Sequence, residues 1–360
     1  MTYLKMEGKT NSMDISIVIP VYNNWEFTKV CLETVALGFA QNSEISYEII
    51  VVDNASFDAT ESQISTLNFS NLQYEKLTQN FGFAIASNKG AEIATGKYLL
   101  FLNNDIKIFP NAIEYLYKAI HSASNIGVVG SRLLYPNFTI QHAGLAMDEN
   151  YDWWHIFRNY PGSHPLVLEK RKMQAITGAS MMLRREDFFK VGRFDESYLN
   201  SHEDLDLCFK IRRLEKDILY EPDSVMIHYE SITDGRYGSN EKNRFVELWK
   251  KEARYDYTEK TLVYAEKKFS LYNTSLLDSN LERVYFSKND ALDGSFAKMQ
   301  TRDLLQITME RLRLEQTIKK QQHEISSLRQ EHYLVIMRLG KIILWFPNLL
   351  RRLIRWIWKS

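Results

Sequence analysis

The chain has 360 residues, with 45 Lys and Arg against 45 Asp and Glu, 45% hydrophobic residues and 13% aromatic ones. That balance excludes a disordered or collagen-like chain, and it predicts one large domain with an appendage, or two domains. Only Cys31 and Cys208 are present, too few for a disulfide scaffold or a four-cysteine zinc site, and this usage suits a reducing cytoplasm.

Residues 1–12 are polar and without periodicity, and predict a mobile leader with no basic-then-apolar export signal. From Met13 short β-rich runs alternate with helical stretches. Asp14–Pro20 predicts a strand, Asn24–Gly38 a helix, and Glu48–Asp53 a strand buried on both faces. A helix near Asp58–Leu67, a strand over Leu72–Leu77, a helix over Phe83–Ala94 and a strand over Lys97–Leu102 follow. Pro110 suits the first turn of a helix reaching about His121, and Ile126–Ser131 is the next strand. The alternation predicts an α/β fold with a largely parallel sheet and helices on both faces.

In such sheets ligands bind beyond the carboxyl ends of the strands. Three of those ends hold Pro20-Val-Tyr-Asn23, Asp53-Asn-Ala-Ser56 and Asn103-Asn-Asp105. Any one of them alone reads as turn and cap chemistry. Together they predict one polar crevice.

Beyond Ser131 the pattern changes. Tyr135–Leu168, with Trp153, Trp154, His155 and Tyr160, predicts loops and short strands that form an acceptor wall, although such aromatic residues also serve plain packing. Met173–Arg184 reads as a strand interrupted at Gly178-Ala-Ser180. Phe194-Asp-Glu196 then leads into a helix containing Glu203, Asp204 and Asp206 in its first turn, where the helix dipole favours negative charge.

In this order and spacing the residues resemble the inverting family-2 glycosyltransferases of the GT-A (Rossmann-like) fold. The resemblance runs from Met13 to Thr233. It rests on Val18–Asn23, Ile50–Ser56, Asn80–Phe83 with Asn88-Lys-Gly90, and Leu100–Asp105. It continues through Gln141–Gly144, Thr177–Ser180, Phe194–Glu196, Glu203–Asp206 and His228. The domain it implies spans residues 13–250.

What the resemblance implies can be carried over residue by residue. Asp53 would accept the ring N–H of a uracil or thymine, with Pro20, Tyr22, Asn23, Asn54, Ser56 and Asn104 lining the donor pocket. Backbone amides around Asn80–Gly82 would face the ribose or phosphates. Asn103-Asn-Asp105 occupies the place of the family's metal motif, with Asn at its first acidic position. Asp105 would bind Mn²⁺ or Mg²⁺ together with His228 and the donor diphosphate. Asp204 would be the catalytic base, with Glu203 orienting it or a hydroxyl. Gly178 and Ala179 would let an acceptor approach the backbone closely, and Arg132, His142, Trp153 and His155 would line the acceptor side. The implied reaction is direct displacement of a UDP- or dTDP-sugar by a glycan hydroxyl. The alternative is a catalytically inactive scaffold on the same fold, which the Asn103 departure favours and the intact Asp204 and His228 oppose.

Residues 251–299 predict a helical linker. In 300–342, Leu304, Ile307, Leu314, Ile318, Ile325, Leu328, Val335, Leu339 and Ile342 fall at heptad a/d positions, which predicts a coiled coil and a homo-oligomer. Residues 343–360 combine Arg351, Arg352, Arg355 and Lys359 with Trp356 and Trp358. That predicts a basic amphipathic helix on an anionic membrane surface, at the cytoplasmic face, and not a nucleic-acid contact.

Overall fold

The computed structural model of the chain describes residues 13–67, 69–198, 201–229 and 239–257. The chain divides into two units, residues 1–288 and 289–360, and every described residue lies in the first. The expected leader, the coiled coil and the basic tail lie outside the described residues, as does all of the expected linker beyond residue 257.

In chain order the elements are β1 (Ile15–Val21), α1 (Trp25–Val35), β2 (Tyr47–Asp53), α2 (Thr60–Ile64), β3 (Leu72–Lys76), α3 (Phe83–Ile93), β4 (Tyr98–Leu102) and β5 (Ile106–Ile108). They continue with α4 (Ala112–His121), β6 (Ile126–Leu134), β7 (Ile140–His142), β8 (Leu145–Met147), β9 (Trp153–His155), β10 (Arg171–Met173), β11 (Ser180–Arg184), α5 (Arg185–Lys190), α6 (Glu203–Arg212), β12 (Asp217–His228) and α7 (Ser239–Trp249).

The main sheet runs β10-β12-β6-β11-β4-β1-β2-β3, with β5 added to β12 and β7 to β6. β1, β2, β3 and β4 pair in parallel, as the β-α alternation predicts. The other half corrects the largely parallel expectation. β11 lies between β4 and β6 and is antiparallel to both, while β12 is parallel to β6. The cause is local. The Met173–Arg184 stretch is not one interrupted strand: β10 pairs at the sheet edge with β12, the chain leaves the sheet, and β11 re-enters it in the middle. Ile176 of the departing segment packs over Gly130 of β6, where any Cβ would lie 2.4 Å from its side chain.

Two helix starts also differ from expectation. α4 begins after Asn111, which takes a left-handed φ of 63°, so Pro110 precedes the helix instead of sitting in its first turn. α2 is confined to Thr60–Ile64, because Asp58 turns back to accept the Thr60 N–H and hydroxyl.

β1, β2 and β4 are almost wholly buried and carry the core, with Ile17, Val18, Ile50, Val51, Leu100 and Phe101 inaccessible to solvent. At the end of the sheet away from the crevice, buried Glu48 accepts from the Ser16 hydroxyl, the Thr95 N–H and hydroxyl, and Gln73. That network fixes the register of β1, β2 and the turn into β4. The opposite, C-terminal ends of these strands are thereby aligned side by side.

Candidate active site

The three strand exits are tied to one another by hydrogen bonds. At the end of β2, Asp53 Oδ1 accepts the Ser56 N–H at 2.7 Å, across a turn in which Ala55 takes φ 66°. Ser56 Oγ in turn accepts the Asn23 N–H at 2.7 Å, and Asn23 Oδ1 accepts the Phe57 N–H at 2.9 Å. Asn23 and Asn24 both hold positive φ, which Asn tolerates better than most residues, so the β1 exit turns sharply into α1. Asp58 reaches across from the β2 loop to accept the Trp25 N–H at the start of that helix. Asn104 Nδ2 donates to the Thr28 hydroxyl and the Asn23 carbonyl, joining the β4 exit to the same turn. Pro20 and Tyr22 flank it, half-buried, and the exposed Phe57 ring meets Tyr22 edge-on at 6.2 Å.

Asn54 ties the next loop in. Its Nδ2 donates to Asn80 Oδ1 and the Gly82 carbonyl, and its Oδ1 accepts the Phe81 N–H. The Gly82 N–H goes to Asn80 Oδ1. This corrects the expectation that these amides face a phosphate: those of Phe81 and Gly82 are already committed to side chains, which hold the loop at the start of α3.

Beyond Asn104 the chain brings Asp105 against His228, the last residue of β12, because β5 pairs Ile106 with His228. Asp105 Oδ1 lies 3.1 Å from His228 Nε2, with both side chains largely buried. Despite that distance Asp105 Oδ1 makes no hydrogen bond, since the contact lacks the required alignment, and His228 Nδ1 is buried without a partner. A carboxylate oxygen and an imidazole nitrogen that approach closely but do not bond to each other fit two ligands converging on one cation. Asn103 Nδ2 lies 3.2 Å from the same His228 Nε2, which suits the tautomer that keeps the proton on Nδ1 and a lone pair on Nε2. Among the described residues no group of three or more His, Cys, Asp or Glu side chains forms a complete metal cage. The residues present therefore fit Mn²⁺ or Mg²⁺ only with further oxygen ligands, such as a diphosphate would bring.

Asp204, in the first turn of α6, accepts the Gly178 N–H on Oδ2 at 2.9 Å and the Leu205 N–H on Oδ1 at 2.8 Å. The neighbouring residue, Ala179, accepts the Asn103 N–H on its carbonyl. Two consecutive residues thus connect the carboxylate of α6 to the turn that carries Asp105. Gly178 is close-fitting here, its Cβ position lying 3.4 Å from both Asp204 Cβ and the Phe83 ring. Ala179 is buried and faces the protein, so it offers an acceptor no surface, contrary to expectation.

Burial raises the pKa of both adjacent carboxyls, Glu203 and Asp204. For Asp204 the Gly178 and Leu205 amides work against that rise. Glu203 Oε2 has no hydrogen-bond partner, and burial together with the Asp204 charge pushes Glu203 up to about 8. Glu203 is thus pushed up by burial and by its neighbour's charge, while the two amides on Asp204 favour its ionised form against its own burial.

The expected acceptor wall is only partly a surface. Arg132 is buried on β6 and donates from Nη1 to the Gly162 carbonyl at 3.0 Å. His142 is fully buried, its Nδ1 3.0 Å from Nδ1 of His155, and burial holds its pKa well below the usual value. For Arg132 and His142 the structure corrects the expectation: both sit inside the fold, with Gly162 against Arg132 and His155 against His142. Trp153 is half-buried between the ring edges of Phe209 and Phe245, where it packs β9 onto α6 and α7. Cys31 is buried with its thiol pushed up to about 12, and Sγ approaches the Asn103 carbonyl from behind.

Sequence reasoning passed over Tyr74, whose hydroxyl donates to Asp53 Oδ2 at 2.6 Å, and β5, which sets Asp105 against His228. For Tyr74 the only signal was a polar-tipped aromatic two positions from the end of an edge strand. For β5 there was none beyond Ile106 and Ile108 flanking a lysine.

A mixed α/β domain with a polar crevice at the carboxyl ends of β1, β2 and β4, and a carboxylate–imidazole pair beside it, has the architecture of the GT-A fold. Residues 16–192 match the family described as Glycosyl transferase family 2, and the chain carries a domain of that family. Among relatives, it is 26% identical over 228 residues to the O-antigen biosynthesis protein RfbC of Myxococcus xanthus, covering 61% of this chain and 17% of that protein. It is 27% identical over 243 residues to the uncharacterized glycosyltransferase RP339 of Rickettsia prowazekii, covering 65% of this chain and 70% of that one. The chain spans between 17% and 27% of the length of three of the curated relatives it matches. Among solved structures, GalNAc-T7 with UDP, GalNAc and Mn²⁺ superposes with a TM-score of 0.55 at 20% identity, over 76% of this chain and 55% of that one. That likeness shows the fold.

Proposed function

We propose that this protein transfers a sugar from a UDP- or dTDP-sugar to a hydroxyl of a growing glycan, by direct displacement that inverts the anomeric centre. The observation that supports this reading best is the chain of contacts at the crevice. Asp53, Ser56, Asn23 and Asn104 lead to Asp105 and His228, and Asn103, Ala179 and Gly178 lead on to Asp204. In this reading Asp53 receives the ring N–H of the base, and Tyr22 and Phe57 flank the base at the rim. Asp105 and His228 hold Mn²⁺ or Mg²⁺ together with the donor diphosphate. The cation, when bound, supplies charge neutralisation for the departing diphosphate.

Asp204 takes the acceptor proton. A carboxylate is far weaker as a base than the alkoxide it helps to form, so the proton moves only as the new C–O bond forms. The two amides on Asp204 hold it in one orientation and favour its ionised form, against the burial that raises its pKa. Half-buried Trp153 and His155 border the acceptor side. The relative named for O-antigen biosynthesis supports a lipid-linked surface polysaccharide as the acceptor class. The heptads of 300–342 and the basic, tryptophan-rich 343–360 would make it an oligomer on the cytoplasmic face of the membrane. Several heads there would raise the local concentration of lipid-held acceptors.

Asp105→Ala, or chelation, tests the donor half of this reading. Affinity for the UDP- or dTDP-sugar is expected to fall by about tenfold or more, because the diphosphate loses its counter-charge. Unchanged affinity and full activity in EDTA would point to a metal-free enzyme.

A further inference from the structure

Asp53 has no solvent-exposed surface. One of its oxygens is held by a backbone donor, the Ser56 N–H, inside a tight turn. The other is held by a side chain, the Tyr74 hydroxyl. Tyr74 stands on β3, the last strand of the sheet, opposite Val51. Side chains two apart on a strand share a face, so Tyr74 lies diagonally from Asp53 on the same face and reaches along the strand to it. Its ring is half-buried, and burial together with the hydrogen bond to Asp53 raises the hydroxyl's pKa, so the hydroxyl keeps its proton and donates.

The two covers on Asp53 therefore differ in kind. The Ser56 amide cannot leave without unmaking the turn that also fixes Asn23. Tyr74 can leave by rotating a partly exposed side chain at an edge strand. A buried carboxylate tolerates the loss of one donor only when another replaces it, since an unpaired buried charge costs more than the hydrogen bond itself.

We propose that Tyr74 is a specificity-determining residue of the donor site: its hydroxyl occupies the Asp53 oxygen that the base requires, and it yields only to a pyrimidine that brings a ring N–H in its place. The inference rests on the reading of Asp53 as the receptor for the base. Uracil and thymine carry an N–H at ring position 3, and either exchanges one donor for another with Asp53 still satisfied. Cytosine has a lone pair at that position. It would set an acceptor against the carboxylate, so Tyr74 keeps its hydrogen bond and cytosine gains nothing there. Tyr74 thus lowers the affinity for uracil and thymine nucleotides, which must displace it, and so sets how narrow their margin over cytosine is.

The test is calorimetric titration of the full chain with UDP, dTDP and CDP in the presence of Mn²⁺, comparing the unmodified protein with Tyr74→Phe and Asp53→Asn. Thermal unfolding establishes that each variant is folded. Tyr74→Phe keeps the ring and removes only the competing hydroxyl. It is expected to bind UDP or dTDP about tenfold more tightly, the scale of one hydrogen bond to a charged acceptor. CDP is expected to gain less, and Asp53→Asn to lose the preference for UDP over CDP. If Tyr74→Phe binds UDP and dTDP no more tightly than the unmodified protein, or gains equally for CDP, the role of Tyr74 is overturned and the Asp53 reading stands. If the unmodified protein binds the three nucleotides equally or not at all, or Asp53→Asn changes nothing, the Asp53 reading falls and Tyr74 falls with it.

Discussion

At the scale of single residues, the Glu203–Asp204 pair makes the sharpest demand on the fold. Glu203 is buried, one of its oxygens is unpaired, and its neighbour is a carboxylate. The folded chain therefore holds a proton on Glu203 up to about pH 8, whereas an unfolded glutamate with the ordinary value of 4.5 has released it. Where the folded state binds more protons, stability falls as pH rises, here across the interval from 4.5 to about 8. Glu203→Gln keeps the shape and removes the titration. It is predicted to raise the melting temperature at pH 8 by about 3 °C or more and to change it little at pH 5. Thermal scans at the two pH values check this, and an equal effect at both would show that Glu203 does not carry that proton. The sequence made Glu203, Asp204, Asp105 and His228 legible as candidates, because carboxylates and imidazoles at strand and helix ends are conspicuous. It could not show that Asp204 receives two amides while Glu203 Oε2 receives none, since one of those donors, Gly178, lies 26 positions away.

Among the elements, α3 shows how a helix is seated so that the crevice stays open. At Gly90 it comes so close to the sheet that an added Cβ would stand 2.4 Å from Val18 Cγ1 and 3.1 Å from Val52 Cγ2. Both valines are stiff, fully buried strand residues that cannot step aside. Asn88 on the same helix donates to the Phe194 carbonyl and Glu196 and accepts the Phe194 N–H, tying α3 to the approach to α6. Gly90→Ala is therefore predicted to cost about 1–3 kcal/mol by overpacking, read as a lowered denaturation midpoint. An unchanged midpoint would mean that α3 lifts freely. β1 to β4 and the helices between them were readable because β-branched runs and helical periodicity are local signals. β5 and the placement of β11 were not. A three-residue strand has too few side chains for a period, and β11 takes its place from Ile176 filling the space over Gly130. That contact joins residues 46 positions apart and leaves no local pattern.

Across the whole molecule, the sheet order sets β1 beside both β2 and β4, so three loops meet at one edge, and β12 returns His228 to the same side through β5. No helix of the described residues is long and apolar enough to cross a membrane. The proposed attachment to lipid rests on the last residues of the chain. Deleting 348–360 is predicted to move the protein from the membrane to the soluble fraction, and unchanged sedimentation with membranes would remove that role. The central claim is that one carboxylate, joined to the metal-side turn through Gly178 and Ala179, takes the acceptor proton. The most direct test is Asp204→Asn, with donor affinity and sugar transfer measured separately on the same preparation in Mn²⁺. The account predicts donor affinity within about twofold of the unmodified protein and a transfer rate lower by about a thousandfold, the scale of a lost general base. Near-normal turnover by Asp204→Asn would contradict it.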